Sequence, residues 1–220
     1  MKAKTDAADV LSMYRFDRLA DHRVPDADSI TEETIRKYHE LGYVAIDRVL
    51  TEEEVAAALR DIDDVIQGRI VGPNVQFYKK LEELNADPAF HTPEGREMAV
   101  RKLHKYADYC PALRHIVYHP KILHVLRLVF GEEPVFTNED QALLKPPSGA
   151  GMEKPWHQDM AYRNFAYSKP VAGVWVALDE ASLENGCMHV VPRSHRYGPI
   201  PHYAVRDWQI CDNMVDVEND

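Results

Sequence analysis

The sequence predicts an α+β chain whose first half is helical and whose second half is mainly β. Three observations carry that prediction. Up to Gly131, apolar residues recur at helical spacing between capping residues and glycine stops. From Pro134 onward the texture changes to short apolar segments separated by Pro, Gly and Asn, the punctuation of strands and turns. Apolar residues make up 45% of the 220, enough to build a core.

Taken in order, residues 1–30 are polar and weakly patterned, with VPDADS before the first clear element. They read as a loosely attached arm on one domain over 31–220, helical over 31–133 and strand-forming over 134–220. TEETIRKYHELG has an acidic first turn and a glycine stop, the two ends of a short helix, and YVAID follows as a brief strand. VLTEEEVAAALRDIDDVIQG predicts a second helix capped by Thr51, with Val55, Leu59, Ile62 and Val65 as its apolar stripe. Residues 71–101 are mixed and loop-rich, the texture of lids and substrate-facing segments. CPALRHIVYHPKILHVLRLVFGEE predicts one or two helices, with Leu113, Ile116, Val117, Ile122, Leu123, Leu126 and Val129 at helical spacing. His104, His115, His119 and His124 fall in this half, and isolated helical histidines are usually structural or exposed.

In the second half, VAGVWVAL and CMHVVP flank the turn-rich DEASLENG, so an antiparallel hairpin is the simplest arrangement. Alternation puts Gly173, Trp175 and Ala177 on one face and Ala172, Val174, Val176 and Leu178 on the other. The first face has room beside its Trp to border a cavity, or is an ordinary core surface.

Charge narrows the function. The 26 basic against 36 acidic residues give a net charge of −10, with no basic stripe, which argues against nucleic acid or an anionic membrane as partner. The start MKAKTDAADV lacks the apolar core of a signal peptide, and no apolar run approaches transmembrane length, so the cytoplasm is the expected location. Cys110, Cys187 and Cys211 are odd in number and widely spaced, with no CxxC, and read as buried or incidental thiols.

PWHQDMAY places His157 and Asp159 two residues apart, so on an extended segment both side chains reach one side. The tripeptide alone says little, since 11 His and 19 Asp in this chain yield roughly one HxD by chance. Its setting says more: LLKPP, a glycine-containing loop, WHQD, then WVALD, then ENGCMHVVPRSHRYGPIPH. This ordered series resembles the phytanoyl-CoA hydroxylase family of iron- and 2-oxoglutarate-dependent dioxygenases. The helix, strand, helix opening YHELGYVAIDRVLTEEEVAAALRDID is similar too, so the resemblance runs from about 31 to 203.

The resemblance implies a double-stranded β-helix, a cupin-like jelly roll with helices packed outside and a metal within. It implies that His157 and Asp159 supply two of three ligands to Fe(II), leaving positions for 2-oxoglutarate and O₂. The expected reaction hydroxylates a small molecule while 2-oxoglutarate is decarboxylated to succinate and CO₂. An intact Asp159 favours hydroxylation, because related halogenases carry a small residue there. Gln141 and Trp175 line up with positions contacting 2-oxoglutarate, and Gln158 sits beside the metal; Gln141 is equally read as a polar residue on a strand face. Ser194 and His195 match a recurrent turn, in which the family normally has Gly where Arg193 stands.

One departure follows from the same resemblance. The family's second metal histidine and its arginine for 2-oxoglutarate come after the SHR segment, whereas the 18 residues following His202 contain no histidine. The expectation is a chain cut before the last strands of the barrel. The alternatives are a short form whose third ligand is His189, His195 or His202, His189 being the best placed, or a non-catalytic jelly roll that binds a small molecule or partner.

Overall fold

The computed structural model of the chain describes residues 19–131, 139–147, 154–159, 171–204 and 208–209. The start of the strand-forming segment expected from Pro134, residues 134–138, the glycine loop before Trp156, and Cys211 lie outside them. The chain forms two compact units, one of Met1–Asp47, Glu153–Gly173 and Met188–Asp220, the other of Arg48–Met152 and Val174–Cys187.

In the first unit a short strand β1 (Arg23–Val24) pairs in parallel with β2 (Ala45–Ile46). Between them runs helix α1 (Glu32–Leu41), as the sequence predicts. Thr31 caps it through a reciprocal exchange with Thr34, and Gly42 ends it at φ +87°, a left-handed conformation that glycine adopts without strain. Within the stretch read as an arm, His22 and Ala27 are buried and β1 is paired.

The PRSHR segment anchors on the end of α1. Arg193 N–H donates to the Leu41 carbonyl at 2.7 Å, and His195 Nε2 donates to the His39 carbonyl at 3.1 Å. The His195 ring lies so close to Gly42 that an added Cβ would sit 2.4 Å from Nδ1, so a side chain there would expel the ring. Arg193 adopts φ +64°, which accounts for glycine as the ordinary choice at this position.

The second unit holds the larger core. Helix α2 (Glu52–Ile66) starts at Thr51, whose hydroxyl accepts from Glu54 N–H while the Glu54 carboxylate accepts from Thr51 N–H at 2.8 Å. Its buried residues are Ala58, Val65 and Ile66, and of the predicted stripe Val65 is buried, Ile62 packs on the core and Val55 is part-buried, while Leu59 is exposed.

Residues 71–101 are more ordered than their composition predicts. Strand β3 (Asn74–Phe77) leads to short helices α3 (Leu81–Asn85) and α4 (Pro93–Ala99), and then to β4 (Val100–His104). β4 is the middle strand of an antiparallel sheet, flanked by β3 and by β5 (Gln141–Leu143). Val100 and Leu103 on β4 are fully buried, while Arg101 and Lys102 between them break the apolar alternation and hide the strand in the sequence. The register shift between Gln76 and Phe77 leaves Arg101 of β4 without a register partner on β3, whose own residues alternate between exposed and part-buried.

The predicted helical stretch after Cys110 is two helices, α5 (Pro111–Val117) and α6 (Pro120–Phe130), each opening on a proline. Asp61 of α2 accepts from the N–H groups of Ala112 and Leu113 at 2.7 and 3.1 Å, capping α5 from outside. Leu103, Val100, Tyr106, Cys110, Leu113, Ile116 and Ile122 close the core. Burial pushes the Cys110 thiol up to about 11, so it is an inert packing group.

The second half departs from expectation. Residues 171–178 and 187–192 belong to no strand, and among the described residues the strands form three small sheets with no closed barrel. Alternation specifies which face is apolar and leaves the pairing partner open. Val176 and Leu178 of the aliphatic face do pack on the core, whereas Val174 and Trp175 stand half exposed. The third sheet is β6 (Tyr203–Ala204) antiparallel to β7 (Trp208–Gln209).

Candidate metal centre

His157 and Asp159 lie together in the first unit on the segment 154–159, which bends at Trp156 and enters a 3-10 turn at Asp159 instead of running extended as the sequence suggested. Pro155 before them is buried and fixes the entry of the chain. His157 Nδ1 lies 2.7 Å from the Pro155 carbonyl, which can only accept, so Nδ1 carries the proton and Nε2 presents its lone pair. That Nε2 lies 3.3 Å from Asp159 Oδ1. Two lone-pair groups facing at this distance repel unless a cation or a proton sits between them. Two ligands each about 2.1 Å from one metal, at right angles, lie about 3 Å apart, so the pair fits a divalent ion. A histidine ligand whose other nitrogen donates to a backbone carbonyl is also the arrangement metal sites use to fix the ring.

The Asp159 carboxylate is mostly exposed, and the His157 side chain only 23% exposed. His157 is therefore the more enclosed of the two and Asp159 the more exposed.

Gln158 holds this segment in place. Its backbone N–H donates to His202 Nε2 at 2.8 Å, its side-chain amide donates to the Gly198 carbonyl at 2.8 Å, and its Oε1 accepts from Ile200 N–H at 2.9 Å. His202 Nδ1 in turn donates to the Ile200 carbonyl at 2.7 Å. Both His202 nitrogens are thus committed to structure, as is His195 Nε2 on His39. His189 is half buried in the same unit, and among the described residues no third His, Cys, Asp or Glu gathers with His157 and Asp159.

The two expected cosubstrate residues lie in the second unit. Gln141 starts β5, is exposed, and its Oε1 accepts from Lys102 Nζ at 3.0 Å. Trp175 is half exposed.

The structure brings together one group that sequence reasoning missed. Glu54, His115 and His119, all in the second unit, place their ligand atoms within 4.8 Å of one another. Glu54 Oε1 lies 2.8 Å from His115 Nε2 and 3.3 Å from His119 Nε2. The Thr51 N–H, and after it His115, hold the Glu54 carboxyl down to about 2. The i, i+4 pair in HIVYH was the available signal, but the carboxylate comes from 61 residues away.

An imidazole and a carboxylate facing each other within one HxD segment are donors of the kind that a facial ligand set for a divalent metal uses. The family model for phytanoyl-CoA dioxygenase (PhyH) matches residues 38–218, and the chain belongs to that family. It is 26% identical over 203 residues to phytanoyl-CoA dioxygenase domain-containing protein 1 of Danio rerio, covering 78% of this chain and 67% of that protein. It is 29% identical over 177 residues to a probable alpha-ketoglutarate-dependent hypophosphite dioxygenase of Stutzerimonas stutzeri, covering 80% and 57%. To a probable phytanoyl-CoA dioxygenase of Caenorhabditis elegans it is 24% identical over 178 residues, covering 79% and 55%. The chain thus spans between about half and two thirds of the length of these relatives. No solved structure matches it. Among the described residues, no helix is long and apolar enough to cross a membrane.

Proposed function

We propose that this chain carries the metal-binding part of a cytoplasmic Fe(II)- and 2-oxoglutarate-dependent hydroxylase of a small molecule. The observation that carries the proposal is the facing of His157 Nε2 and Asp159 Oδ1 within the family's ordered motifs. The name of the Stutzerimonas stutzeri relative supports alpha-ketoglutarate as cosubstrate. The family's jelly roll is the architecture we assign to the whole domain.

In this reading His157 and Asp159 hold iron, and Gln141 and Trp175 border 2-oxoglutarate. Gln158 acts by tying the ligand segment to residues 198–202. Bound iron supplies activation of O₂, and the balanced outcome is one oxygen atom in the hydroxylated product and the other in succinate, with CO₂ released. The protein's part is to keep the His157 proton on Nδ1, so that Nε2 stays available as a ligand.

The test is succinate formation from 2-oxoglutarate by the protein under iron and O₂. His157→Ala and Asp159→Ala should each abolish it. Turnover unchanged in both variants overturns the assignment.

A further inference from the structure

Glu54 sits in the first turn of α2, His115 in the last turn of α5 and His119 at the cap of α6. We infer that these three side chains form a second divalent-cation site, distinct from His157 and Asp159 and suited to zinc or a neighbouring transition ion. Two imidazoles and a carboxylate are the donor set such ions take, whereas magnesium and calcium favour oxygen alone.

The geometry is close to what an ion requires. Ligand atoms about 2.1 Å from a tetrahedral ion lie about 3.4 Å apart, and the two imidazole nitrogens stand 2.8 and 3.3 Å from Glu54 Oε1. The other carboxylate oxygen is held by the Thr51 N–H at 2.8 Å, so Oε1 is fixed toward the rings as a single ligand. The rings are 5.3 Å apart between centroids and inclined at 77°, so both nitrogens turn toward one point without stacking.

Access is one-sided. His119 is buried, whereas His115 is half exposed and borders a depression of about 370 Å³ formed with Pro111, Arg114 and Tyr118. Three protein ligands leave a tetrahedral ion a fourth position for water. The Arg114 guanidinium lies over the Tyr118 ring at 5.2 Å and reaches Asp108, which keeps its charge engaged elsewhere.

Without an ion, the same groups are satisfied by protons. Lys121 N–H donates to His119 Nδ1 at 3.3 Å, so the His119 proton is on Nε2 and faces Glu54. Ion binding moves that proton to Nδ1 and gives up the long bond to Lys121. The step relocates one proton, so no oxidant or reductant is needed. The cost makes this an exchangeable site, weaker than a closed structural zinc centre.

The test uses zinc alone. Modification of histidines by diethyl pyrocarbonate, mapped by mass spectrometry, should show His115 protected at least about tenfold by saturating zinc. Calorimetric titration of an Asp159→Ala chain, which disables the other pair at an exposed side chain, should still show one zinc per chain. His115→Ala in that background should lower the affinity at least about tenfold, with circular dichroism unchanged because His115 is a half-exposed side chain. His115 modified equally fast with zinc present, or zinc affinity unmoved by His115→Ala, overturns the site.

Discussion

The core beneath β4 and the segment carrying His157 and Asp159 are built on opposite terms. In the core, Val100, Leu103 and Cys110 are fully buried, and the helices around them begin and end on their own local signals. The His157 segment belongs to no strand, and its described support is a set of polar bonds from Gln158 to residues 40 to 44 positions away. Burial of apolar surface makes the first region resistant to change. Directional bonds make the second precise but easily lost, which is where binding chemistry is generally placed.

The sharpest way to break that contrast is a pair of truncations. Leu103→Ala, at a site with no exposed surface, should cost about 2–5 kcal/mol in denaturant unfolding and reduce metal binding only through the unfolded fraction. Asp159→Ala should change stability by less than about 0.5 kcal/mol and remove iron binding. The reverse pattern would erase the distinction between the regions.

Gln158→Ala sharpens it further. Losing both side-chain bonds to 198–200 should weaken metal binding roughly 10–100-fold in equilibrium dialysis, with a stability loss of about 1 kcal/mol. A purely local role for Gln158 predicts no change in affinity.

Acid separates the capped helix from the rest. Glu54 is held near 2, below its ordinary 4.5, by Thr51 N–H and then His115. A depressed carboxyl stabilises the fold fully above its unfolded value, and that contribution disappears as pH falls from about 4.5 through about 2. Glu54→Ala should therefore be about 1 kcal/mol less stable than the unchanged chain at pH 6, with the gap closing across that window in acid titrations followed by circular dichroism. The smallest effect is expected at Arg193→Gly, where relief of the left-handed backbone is partly offset by losing the 3.3 Å pair with Glu40. The net gain should be within about 1 kcal/mol in thermal unfolding.

What the sequence disclosed follows the same division. Thr31 with Gly42, Thr51, and the prolines at 111 and 120 mark their helix ends because each cap acts within four residues. The HxD pair was legible because both residues lie on one segment and stand in an ordered series of motifs. The role of Gln158 was hidden because its partners are about 40 residues away, and Leu59 was misplaced because a helical period fixes a stripe only to within a neighbouring position. The Glu54, His115 and His119 cluster needed α2 to be packed against α5, which only the fold supplies.

The measurement that bears most directly on the iron assignment is an anaerobic titration of Fe(II) into the protein with 2-oxoglutarate present, followed by visible absorption. A charge-transfer band of the chelated keto acid should develop, and should be lost in His157→Ala and Asp159→Ala while persisting in His115→Ala. A band that survives both of the first two variants, or vanishes with His115→Ala alone, would contradict the placement of iron at His157 and Asp159.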